Sequence, residues 1–125
     1  MDDTAEGPSE RRKHVRFALS GELPGNLTNA SGQDFAVLPV DVSMVGLGVL
    51  LDPGPSLGER LSLTIRQGDH EQELVFVVKW TAAESFICEL PGLDQLRHCG
   101  LELEAPTDFN LVHFLSSFAG VSIEE

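Results

Sequence analysis

The sequence predicts an all-β domain with one C-terminal helix, and three observations carry that reading. Short apolar runs recur roughly every 8 to 12 residues, separated by Gly, Pro, Asn and Asp, as the strands of a closed or nearly closed antiparallel barrel do. Near the end the period changes: Leu111, Phe114, Leu115 and Phe118 fall at i, i+3, i+4 and i+7, the stripe of an amphipathic helix. A chain of 125 residues, 42% hydrophobic and 22% charged, fits one domain that buries its core without metal or disulfide staples.

Residues 1–10 hold four carboxylates with Gly7, Pro8 and Ser9, a composition too polar to order itself, and they predict a mobile acidic tail. A first strand is expected over residues 17–27, interrupted by Pro24 and Gly25. Residues 35–42 form a second, with Pro39 marking an edge or bulge, and residues 46–51 a third, closed by Asp52 and Pro53. Leu61, Leu63 and Ile65 alternate with Ser62, Thr64 and Arg66, a period of two with one buried face. A turn at residues 67–70 leads to a return strand over 74–80, and two further strands lie at 86–90 and 99–103. A helix over about residues 107–119 follows, with Thr107 or Asp108 as N-cap and Gly120 beyond its end, then a tail at 121–125.

Charge is distributed unevenly. The formal net charge is -12, yet four of the eight Lys/Arg residues (Arg11, Arg12, Lys13 and Arg16) crowd into six positions. Such a cluster on an acidic protein suits a small anion with discrete phosphates, because the rest of the surface repels a nucleic acid or an anionic membrane. Two cysteines, Cys88 and Cys99, fit a reducing compartment rather than a disulfide scaffold, and no spacing suggests zinc. The absence of an apolar signal region or of a bilayer-length apolar run leads to the expectation of a soluble cytoplasmic protein.

Two motifs carry chemistry. Arg12 and Arg16 are four residues apart, a spacing that allows both guanidiniums to grip one ligand. Asp41 and Ser43 precede Gly46; if the strand runs through them, carboxylate and hydroxyl share an exposed face while Val42 points to the core. Ser43 with Asp41 also invites a hydrolase reading, but no GxSxG elbow or ordered base accompanies them, and no enzyme is expected.

In this order, RRKHVR followed by DVSMVG resembles the PilZ family of bacterial domains, whose signature is RxxxR and then an Asp/Asn-x-Ser-x-x-Gly. The resemblance extends through VVKW, CGLELE and the C-terminal helix, with the PilZ domain proper at 11–120. It implies a six-stranded antiparallel barrel that binds the second messenger cyclic di-GMP, with no cofactor. Arg12 and Arg16 would grip phosphates and the acceptor edge of guanine in bidentate geometry. Arg11 matches family members that take up two nucleotides per domain. Asp41 would accept from a guanine donor edge, Ser43 would donate to phosphate or base, and Gly46 would keep the floor clear of a Cβ. Trp80 stands where some members stack an aromatic on guanine, and a partly buried core role is equally open to it. Ligand would order the basic segment, carry the acidic tail to a new place and so signal to a protein partner. The alternative is a PilZ-like adaptor that docks on a protein and binds nucleotide weakly or not at all.

Overall fold

The computed structural model describes residues 15–82, 96–104 and 109–124. The expected acidic tail, Arg11, Arg12, Cys88, the strand at 86–90 and the N-cap candidates Thr107 and Asp108 lie outside the described residues.

Eight strands are present among the described residues: β1 (Phe17–Gly21), β2 (Gly25–Asn29), β3 (Ala36–Val42), β4 (Gly46–Asp52), β5 (Arg60–Gln67), β6 (His70–Thr81), β7 (Arg97–Glu104) and β8 (Val121–Glu124). The short helix α1 (Leu111–Leu115) precedes β8. All form one antiparallel sheet in the order β2-β5-β6-β7-β4-β3-β1-β8. Strands β1 and β2 lie near opposite ends of that order, yet only residues 22–24 separate them. Such a linker spans at most about 14 Å from strand end to strand end, so the sheet must curl until its two ends nearly meet.

The curl encloses one core. Period-two alternation supplies it: Leu61, Leu63 and Ile65 of β5, Leu74, Phe76 and Val78 of β6, and Leu47, Val49 and Leu51 of β4 are all buried. Leu111 and Leu115 of α1 join the same cluster, while Phe109, Phe114 and Phe118 pack against it as a tilted aromatic row.

The strand count corrects the six-stranded expectation. Pro24, which has no N–H for a ladder, divides the predicted first strand into β1 and β2, which then join different parts of the sheet. Residues 121–124, expected as a tail, instead pair with β1, since Val121 and Ile123 alternate with Ser122 and Glu124 and turn to the core.

The helix is also shorter than residues 107–119. Asn110 is its N-cap, accepting from the His113 N–H at 3.1 Å. It stops at Leu115 because the hydroxyls of Ser116 and Ser117 donate to the carbonyls of His113 and Phe114, each at 2.8 Å. Those local bonds compete with continuation of the helix.

Candidate functional site

Asp41 and Trp80 come from separate strands that the sheet register aligns, and Arg16 meets Asp41 from the entry to β1. Ala18 pairs with Asp41, Asp41 with Gly48, Gly48 with Gly100, and Gly100 with Trp80. This makes one continuous row across β1, β3, β4, β7 and β6. Its neighbours along the strands, including Leu47, Val49, Cys99 and Leu101, point into the core, so the row lies on the outer face. Three strand spacings separate Asp41 from Trp80, about 14 Å.

Two bulges put the functional side chains there. Leu74, Phe76 and Val78 point inward, and strict alternation would send Trp80 inward after them. The β6–β7 register slips between Val78 and Trp80, with Lys79 as the extra residue, and the indole emerges on the outer face, 46% exposed. The β3–β4 register slips likewise between Pro39 and Asp41. Pro39 is tolerated because β1 pairs with β3 only at Asp41 and Val42, so no ladder needs its missing N–H on that side.

Paired glycines form the floor beneath these side chains. A Cβ on Gly48 would collide with the Asp41 carboxylate, and one on Gly100 would collide with the Trp80 indole, Cδ1 lying 2.7 Å from it. The carboxylate and the ring are thereby sunk onto the sheet. Trp80 also meets His98 edge to face, with ring centroids 4.9 Å apart at 78°. His98 is a contributor that motif reading passes over; for the floor, Gly48 just after the motif glycine Gly46 and the CGLELE stretch with Gly100 are the sequence signals.

Arg16, just before β1, donates from Nε and Nη2 to a single oxygen, Asp41 Oδ1, at 3.1 and 2.9 Å. Both side chains are about three-quarters covered, at 23% and 29% exposure. The pair does not use Oδ2 or Nη1. Asp41 thus fixes the direction of the guanidinium and leaves both groups with capacity for further hydrogen bonds.

Ser43 does not share the exposed face with Asp41. Strand β3 ends at Val42, so alternation stops before it, and Ser43 is 1% exposed. Its N–H donates to the Gly46 carbonyl at 2.9 Å and its hydroxyl accepts from the Val45 N–H at 3.3 Å, which closes the turn. Gly46 is needed for packing rather than as an open floor: a Cβ there would lie 2.5 Å from the Leu101 carbonyl oxygen of β7. Leu103 N–H and Leu111 N–H donate to the carbonyls of Val45 and Met44, at 2.7 and 2.9 Å, and hold the turn from outside.

Two other cations of the outer face are paired among the described residues. Lys79 meets Glu102 at 3.3 Å, and Arg60 meets Glu104 at 3.0 Å through a forked contact. Such exposed pairs add little stability, but they neutralise the charges beside the row.

The chain matches the family model of the PilZ domain over residues 10–106. It belongs to the PilZ family, whose members are receptor or adaptor domains known for binding cyclic di-GMP. No match to a curated protein was found. Among the described residues no helix is long and apolar enough to cross a membrane.

Proposed function

We propose that this domain is a cytoplasmic cyclic di-GMP receptor that takes the nucleotide on the outer row of its curled sheet. Arg11, Arg12 and Arg16 supply the guanidinium forks for phosphate and for the N7 and O6 edge of guanine. Asp41 accepts from a guanine donor edge through Oδ2 while Oδ1 steadies Arg16. Trp80 offers its exposed face for stacking. Ser43 and Gly46 act by shaping the turn that presents Asp41. Arg11 favours two nucleotides per domain. Binding draws the basic segment over the sheet and alters the surface offered to a downstream protein partner.

The observation that supports this reading is that Asp41 and Trp80 stand on one outer row, each beside a bulge, and that Arg16 is hydrogen-bonded to Asp41 from the entry to β1. Trp80 is the single tryptophan and the chain has no tyrosine, so its emission reports the site directly. Titration with cyclic di-GMP is expected to change that emission saturably, and GMP at the same concentration is not. An unchanged spectrum at saturating nucleotide would contradict a stacking role for Trp80.

A further inference from the structure

The match to the family ends at residue 106, yet the chain beyond it grips both halves of the site. Strand β1, which leads directly out of Arg16, is held by only two paired positions on β3, Phe17 with Val42 and Ala18 with Asp41. On its other side it makes four with β8, from Ala18 with Glu124 to Gly21 with Val121. Ala18 therefore sits between Asp41 and a residue of the C-terminal strand. At the other half of the site, the first N–H of α1 donates to the Met44 carbonyl, inside the turn that follows Asp41. Leu111 and Leu115, both fully buried, anchor that helix in the core. Between the two grips, the Glu22 N–H donates to the Gly120 carbonyl at 2.9 Å.

We infer that α1 and β8 form a positioning clamp for the nucleotide site, holding β1 with Arg16 and the turn with Asp41 in the relative placement that binding uses. This rests on the cyclic di-GMP reading above. The clamp touches no ligand. It acts by keeping the Arg16–Asp41 pair assembled before ligand arrives, so that binding does not have to order the two strands itself. Thermodynamic reciprocity then requires that nucleotide tighten α1 and β8 in return.

Two variants test this in the full chain. Val121→Ser with Ile123→Ser removes the partly buried side chains that seat β8 and keeps every charge of the strand. Asn110→Ala, at an exposed position, removes the cap of α1 and loosens the N–H that holds Met44. Each is titrated with cyclic di-GMP well below its own melting temperature, beside the parent protein. The expected result is affinity weakened by roughly 5- to 150-fold, the range of typical site-to-site coupling, with the Trp80 emission of the ligand-free protein unchanged. In the parent, nucleotide is expected to slow amide hydrogen exchange at Leu111 and along β8. Parent affinity in the folded variants, or unaltered exchange in α1 and β8, would overturn the clamp while leaving the receptor reading intact. Failure of the parent itself to bind would overturn both. If the double variant does not fold, the Asn110→Ala titration and the exchange measurement decide the matter.

Discussion

Gly100 shows how much of the site depends on an absent side chain. The Trp80 ring rests where a Cβ would stand, and the indole cannot keep that place if one is added. Gly100→Ala is therefore expected to swing Trp80 off the sheet, shift its emission and weaken cyclic di-GMP by about the 0.5 to 1.5 kcal/mol of one aromatic pair. Retained emission and affinity would show that the indole does not depend on the floor. Cys99, on the same strand but facing the core, lies in the opposite environment. Burial pushes its thiol up from 9.0 to about 11, and its S–H donates to the Arg97 carbonyl at 3.3 Å. Between those values the unfolded chain releases a proton that the folded chain retains, so stability is whole below pH 9 and falls as pH rises toward 11. Denaturant midpoints measured from pH 8 to 11 are expected to fall for the parent and to fall less for Cys99→Ala.

Strands with clean alternation are legible in the sequence. Leu61, Leu63 and Ile65 announce β5, and the return strand after residues 67–70 follows from the hairpin turn. The family resemblance assigns Arg16 and Asp41 to one site, and the two side chains form an ion pair. What failed to show was wherever a local event breaks the period. Alternation through Val78 gives no warning that Lys79 bulges and turns Trp80 outward, because a bulge is set by the partner strand and not by the residues that form it. Ser43 departs from its expected place for the same kind of reason: extending β3 by one residue would expose its hydroxyl, whereas the strand ends and the hydroxyl closes a turn. The end of the chain misled because Val121 to Glu124 is too short to register as a strand until β1 offers an edge. Ser116 and Ser117 ended the helix through bonds to the preceding carbonyls, although the apolar stripe continues to Phe118.

Seen as a whole, the molecule is an acidic body carrying one basic segment. A net charge of -12 repels long polyanions, while Arg11, Arg12 and Arg16 concentrate attraction for a small one. The charges on the outer face beside the row are already paired with glutamates, so they compete little for phosphate. The strand order β3-β1-β8 sets the entry to β1, the β3–β4 turn and the C-terminal strand side by side, so residues of the N-terminal signature and residues beyond 106 are neighbours in the fold. The most direct test of the central claim is isothermal titration of cyclic di-GMP into the full chain, with Arg16→Ala alongside. The account predicts saturable binding with a stoichiometry near two, weakened in Arg16→Ala by roughly 10- to 150-fold, the equivalent of about 1.5 to 3 kcal/mol for one charge-assisted contact. Absence of binding heat in the parent, or parent affinity in Arg16→Ala, would contradict it.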